Sequence, residues 1–340
     1  MSDLFNKLLL LRAPRVGIIK YNDLVARFGS VADAAASLNA DVKLRDAVMR
    51  EMDAAYRLNI KYISDDDAMY PETLRAVPNH PPVISVRGNV DALRREMVAI
   101  VGTRHATANG MGFIADIAHG LADNGMVVVS GMAIGTDTAA HRGALKAAGD
   151  VVTVAVLAGG ADYIWPVENE SLYWEIVERG AIVSERPVGF VPNANAFVPR
   201  NRWIAGLGNK LILGEADIKS GSMTTARFAM DYNREIWAIP SHPADSRAMG
   251  PNSLIRSGAA RLCLGLADFV KMDEKNQSQK KNLKKNDSDS DVLDAIGTIP
   301  VSESVLAEIV KKSVSEIKSV LVVLELQGLV QKTDGGYIRL

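Results

Sequence analysis

Between residues 97 and 270, short apolar runs return at helix-length intervals: 97–101, 126–130, 151–157, 181–184, 211–214 and 236–240. Runs this short and this continuously apolar suit strands buried on both faces, and the helical patterns between them supply the cover for each face. The pattern predicts an α/β fold class, a doubly wound, mostly parallel sheet. In such a sheet ligands bind beyond the carboxyl ends of the strands, so the turns that follow 101, 130 and 213 are where chemistry is expected.

The flanking regions differ in character. Residues 1–60 show helical spacing broken at Gly17 and Gly29, which predicts a small helical N-terminal domain containing a hairpin. Residues 61–96 carry Tyr70-Pro71, Pro78 and Pro81-Pro82 and read as a connecting arm leading to the α/β domain, 97–272. The stretch 273–289 has Leu283 as its one aliphatic side chain and is expected to be a flexible linker, because it cannot bury enough surface to offset its ordering entropy. Residues 290–340 give three helical patterns (290–296, 302–311, 315–327) and then two short strands around Asp334-Gly335-Gly336, which is the order of a winged helix. Its third helix offers only Lys318 as a cation, opposed by Glu316 and Glu325, so duplex DNA and a protein contact are equally supported as its partner.

At 340 residues the chain has room for two or three domains, and its 39 Lys+Arg against 40 Asp+Glu remove any long-range attraction for a polyanion. An anion site must therefore be a local concentration of cations. From Arg200 to Arg261 there is one: nine Lys or Arg against five acids. The single cysteine, Cys263, excludes an intrachain disulfide, and the five histidines show no zinc spacing, so no metal is expected. The apolar stretch 8–11 is too short for a secretory segment and nowhere do eighteen apolar residues run together, which predicts a cytoplasmic protein without a membrane partner.

Four strand-end features could carry function. Gly102-Thr103-Arg104 delivers a small residue, a hydroxyl and a guanidinium together, suited to a phosphate or equally to a tight turn with a surface Arg. Ser130-Gly131 is followed by Thr136 and Asp137, either of which could cap a helix with no ligand present. Lys219-Ser220-Gly221-Ser222 opens a helix and makes the strongest anion cradle: N–H groups, the positive dipole end and a mobile ammonium converge. Phe197, Arg200, Asn201, Arg202 and Trp203 mix guanidinium and aromatic groups as a single strand of nucleic acid requires, or else form a solvated helix start with Trp203 in the core.

Other chemistries are poorly supported. There is no phosphate-binding loop of the G-x-x-x-x-G-K-[ST] kind, and Gly110-x-Gly112-x-x-Ala115 lies too far past its strand for a dinucleotide fingerprint. Ser130, Ser184, His105, His141 and His242 form no triad-like pattern, so no catalytic residues, cofactor or enzymatic activity are assigned.

At these motifs the chain resembles the DNA-processing protein A family (DprA, also called Smf). The resemblance lies in VGTRHATANG (101–110), SGMAIGTDTAAHRGAL (130–145), LAGGADYIWPVEN (157–169), SERP (184–187), the long stretch 199–229 and IPSHPADSRAMGPNSLIRSGA (239–259). It implies an extended Rossmann-like domain between an N-terminal helical domain, of the SAM or helix-hairpin-helix kind, and a winged helix. It also implies a homodimer that binds and protects incoming single-stranded DNA and loads the recombinase RecA during natural transformation. The nucleic-acid-binding residues carried over are Gly102, Thr103, Arg104, Ser130, Gly131, Arg200, Asn201, Arg202 and Lys219 to Ser222, with Phe197 as a base-stacking contact. Three departures stand out: Ile134 replaces an Arg of the family motif, Val198 displaces the family's Pro to 199, and Ala158 and Ala161 alter the Gly-rich turn after the third run. The alternative reading is a Rossmann-like enzyme that binds or hydrolyses a nucleotide phosphate, with Glu215, Asp217 and Asp137 as the acids within reach.

Overall fold

The computed structural model describes residues 3–38, 40–270, 287–297, 299–333 and 335–339. Contacts divide the chain into two compact units, one ending at Val270 and the other beginning at Lys271.

The first unit is built on a nine-stranded sheet, β1 (Ile60–Ser64), β2 (Val83–Gly88), β3 (Met97–Val101), β4 (Val127–Ser130), β5 (Thr153–Val156), β6 (Gly180–Ser184), β7 (Lys210–Leu213), β8 (Glu235–Ala238) and β9 (Arg261–Leu262), in the order β1-β2-β6-β5-β4-β3-β7-β8-β9. From β6 to β9 all neighbours are parallel, while β2 pairs antiparallel with both β6 and β1. All six expected strands are present, and the mostly parallel α/β class is borne out. Residues 61–96, expected as a connecting arm, supply most of β1 and all of β2 and so widen the sheet. The prolines that suggested an arm sit between these strands, at the turns, where the missing N–H removes no ladder bond.

Alternation along β3 shows how both faces are filled. Val98 and Ile100 pack with Ile114, Ile117 and Leu121 of helix Ala108–Asp123 and with Ala140 and Ala144 of helix Thr136–Leu145. Ala99 and Val101 face the other way, toward Trp203, Ile204 and Leu207 of helix Phe197–Leu207 and Ala226 and Ala229 of helix Gly221–Asp231. Each fully buried aliphatic side chain contributes roughly 1.5–3 kcal/mol, so the two layers fix the sheet firmly. β3 pairs with β4 on one side and β7 on the other, so the chain reverses its winding direction there and leaves a crevice beyond Val101.

Four helices precede β1, namely Asp3–Arg12, Ile18–Phe28, Val31–Ser37 and Val42–Arg57, and they share a core of Leu8, Leu9, Leu10, Tyr21 and Val48. The first hairpin turns at Gly17, and Gly29, at φ 80°, closes the second helix in the left-handed region that glycine tolerates. This domain is fastened to the sheet by polar clamps. Lys7, 4% exposed, donates to Asp65 and, at 2.8 Å, to Asp66, and Arg12 meets Glu51, which also accepts from Tyr62.

In the second unit, helices Asp287–Ala295, Glu303–Val310 and Val314–Leu326 precede a hairpin of β10 (Val330–Thr333) and β11 (Gly336–Arg339), around a separate core that includes Ile296, Leu306, Ile317, Leu321 and Tyr337. The winged-helix order is present. The expected linker lies mostly outside the described residues, and its last three positions open the first helix of this unit. Among the described residues no helix is long and apolar enough to cross a membrane.

Candidate nucleic-acid interface

The crevice beyond β3 is an open cleft of about 400 Å³. The turn Gly102-Thr103-Arg104 forms one wall. It is held by Glu215, whose main-chain oxygen accepts from Thr103 N–H at 2.7 Å and whose carboxylate takes the N–H and hydroxyl of Thr107. Gly110 lets that carboxylate close in, since a methyl group there would lie 2.8 Å from Glu215 Oε1. Its glycine therefore serves packing, not a dinucleotide.

Ser220, Gly221 and Ser222 form the opposite wall. Ser220 caps helix Gly221–Asp231, its Oγ accepting from Met223 N–H at 3.4 Å, and it lies 2.9 Å from Ser222 Oγ. The positive end of the helix dipole thus opens into the cleft. Asn201 bridges the walls' floor by donating to Gly221 O at 3.3 Å.

The cation the cleft presents is Arg104. It is exposed, makes no ion pair among the described residues, and stands 5.1 Å over the Trp165 ring and 5.9 Å over Phe197, whose own centroids are 4.5 Å apart. A guanidinium over a tilted aromatic pair offers charge for a phosphate and flat faces for bases in one place. Trp165 was not singled out in the sequence because the loop after β5 carries no Lys or Arg to mark a phosphate contact. Two clues were there: the loop lies beyond a strand end, and its stretch 157–169, with Gly159 and Gly160, is among those that resemble the family.

Arg200, by contrast, is 6% exposed and works as a brace. Its guanidinium donates to Gly131 O at 2.7 Å and to Val156 O, tying the ends of β4 and β5 to the helix that carries Phe197. Burial, partly offset by Asp137 and reinforced by Arg104, lowers its pKa to about 10, so it stays charged at neutral pH. Burial likewise pushes the Asp137 carboxyl up, against Arg200 and the Ala133 N–H that opposes it.

The expected residues therefore separate. Gly102, Thr103, Arg104, Phe197, Arg200, Asn201, Ser220, Gly221 and Ser222 line the one cleft, and Lys219, next to Ser220 in the chain, is exposed and makes no ion pair among the described residues. Ser130 is fully buried behind it, donating to Ile100 O at 2.7 Å, and Gly131 offers its carbonyl to Arg200. Arg202 is turned away, since two residues along a helix rotate a side chain by about 200°. It lies 3.8 Å over Trp203 and 3.9 Å from Glu185.

Comparison with known families agrees with this architecture. The model of "DNA recombination-mediator protein A" matches residues 61–273, flanked by a "DprA-like N-terminal HHH domain" at 2–54 and a "DprA winged helix domain" at 278–336. The chain belongs to the DprA family. Protein Smf of Escherichia coli (strain K12) is 32% identical over 83% of this chain and 78% of its own. Smf of Synechocystis sp. is 38% identical over 59% of this chain, which spans about half (51%) of that protein's length. Among solved structures, DprA from Streptococcus pneumoniae superimposes with a TM-score of 0.63 at 30% identity, covering 79% of this chain and 96% of its own. DprA from Helicobacter pylori, solved for its single-stranded DNA binding mode, gives 0.56 at 30%, covering 65% and 96%. In this DprA-family chain the departure Ile134 is 40% exposed.

Proposed function

We propose that the protein binds single-stranded DNA in the strand-end cleft, protects incoming strands and loads the recombinase RecA on them during transformation or related recombination. It acts in the cytoplasm as a homodimer and has no catalytic step of its own. One observation carries the reading: the unpaired Arg104 guanidinium over Trp165 and Phe197, opposite a capped helix N-terminus. Phosphates at the helix end and bases on the rings would use the Arg104 guanidinium, the two rings and the helix N–H groups that face the cleft. Family membership and the strand-binding mode reported for the H. pylori relative support it.

The nucleotide-enzyme alternative needs an acid or base free to act. Glu215 is engaged by Thr107, Asp217 accepts from Lys219 N–H at 3.0 Å, and Asp137 is buried against Ala133 N–H. The deciding experiment is fluorescence anisotropy of labelled oligo-dT and a matched duplex at several salt concentrations, together with an assay for hydrolysis of nucleoside monophosphates. Preference for the single strand, an affinity that falls with salt, and intact nucleotides are expected. Salt-independent binding or nucleotide turnover would overturn the reading.

A further inference from the structure

The cleft does not exhaust the carboxyl edge of the sheet. β6 ends at Ser184, and residues 185–196 run from there back to Phe197. Within this loop the Arg186 guanidinium lies 5.2 Å over the Phe190 ring, repeating the pairing that Arg104 makes with Trp165 and Phe197. Main-chain bonds lock the loop to the one that carries Trp165: Gly160 N–H donates to Phe190 O at 2.9 Å, and Gly189 N–H reaches the Asp162 carboxylate at 2.9 and 3.1 Å. Glu185 stands 3.6 Å from Arg186 and 3.9 Å from Arg202, so one carboxylate faces two guanidinium groups and a positive charge is left over.

Across a cleft of about 270 Å³ from Arg186 and Phe190 stands the hairpin of the N-terminal domain, at Val16, Gly17 and Ile18. Helix Ile18–Phe28 begins there without a side-chain cap on its first N–H groups. Arg15 and Lys20, exposed on either side of Gly17, make no ion pair among the described residues. An aromatic face under a guanidinium, beside an uncapped helix start with two free cations, repeats the chemistry of the first cleft. Three strand spacings, about 14 Å, separate β3 from β6, so only a ligand several nucleotides long reaches both stations.

We propose that Arg186, Phe190 and the hairpin around Gly17 form a second station for the same single strand of DNA, which runs along the sheet edge from the Arg104 cleft to the N-terminal domain. This rests on the reading of Arg104 and Lys219 as the first station. The test compares labelled dT2, too short to bridge about 14 Å, with dT20 on the full-length protein by anisotropy. Arg186→Ala/Phe190→Ala should weaken dT20 at least about fivefold, the loss of one stacked base, and leave dT2 within twofold. Arg15→Ala/Lys20→Ala, both at exposed positions, should lower the salt dependence of dT20 binding and not that of dT2. If both double variants bind dT20 as the wild type does while Arg104→Ala/Lys219→Ala loses both strands, the second station is overturned and the first stands. If Arg104→Ala/Lys219→Ala also binds both strands normally, both readings fall.

Discussion

Arg104 and Arg200 show how one residue type takes two roles in one cleft. Arg104 is exposed and makes no ion pair among the described residues, so replacing it should cost binding and not stability. Arg104→Ala should weaken oligo-dT binding about tenfold and reduce the slope of log affinity against log salt by about 0.7, the value for one single-strand phosphate. Arg104→Lys should restore the slope and only part of the affinity, because an ammonium lacks the planar face; anisotropy over a salt series checks both. Arg200 is the brace, and Gly131 is the space it occupies, since a methyl group on Gly131 would lie 2.8 Å from the guanidinium. Gly131→Ala should push Arg200 off its two carbonyls and destabilise the first unit by about 1–3 kcal/mol, read as a lowered urea midpoint. An unchanged midpoint would show that the guanidinium finds other partners. The Pro-Arg-Asn-Arg motif alone could not distinguish these roles. Arg200 and Arg202 look equivalent in sequence, and only helix rotation against a particular sheet sends one into the cleft's floor and the other toward Glu185.

At the level of elements, strands β3 to β8 were legible because burial on both faces makes them apolar at nearly every position, a signal that needs no partner information. β1, at the sheet's edge, and β2, beside it, mix polar and apolar residues in IKYIS and VISVRG as antiparallel strands do, and β9 is two residues long, too short for any period to register. The attachment of the first helix was equally hidden, because Lys7, Asp65 and Asp66 are distant in sequence. Hydrogen bonds from Lys7 and Ser64 draw the Asp66 carboxyl down to about 2, and bonds from His80 and Lys7 hold Asp65 low against the opposing effect of its burial. Both folded-state values lie below the unfolded carboxylate's, about 3.9. This stabilisation is therefore complete above pH 4 and is lost as pH falls toward 2. Hydrogen exchange in helix Asp3–Arg12 should accelerate across that window beyond the intrinsic pH effect, and Lys7→Met should abolish the extra acceleration. In the winged helix, Lys318 is paired with Glu303 at 3.4 Å, while Val322, Val323 and Leu326 are exposed on the third helix. That helix therefore presents aliphatic side chains and no unpaired cation among the described residues. Ending the chain at Val270 should leave oligo-dT affinity within about twofold and remove no duplex binding, as gel-shift and anisotropy titrations would report.

For the whole molecule the deciding quantity is the balance between a net charge of −1 and a few exposed cations on one edge of the sheet. With no global field to steer a polyanion, affinity must come from short-range contacts, and Arg104, Lys219 and one helix end supply roughly three phosphates' worth. That cleft by itself is therefore a modest binder whose affinity should scale with salt to a power near −2. Two protomers of the proposed dimer on one strand would change that arithmetic, because the second contact would become intramolecular and avidity would rise by about 10²–10⁴ when the strand spans both clefts. Binding of a long oligo-dT should then tighten as protein concentration passes through the dimerisation range, to be located by sedimentation, whereas binding of dT6 should not. The salt exponent should roughly double for the long strand in the same range. A long-strand exponent that stays the same at all protein concentrations would mean that each protomer holds DNA alone, without cooperation between clefts.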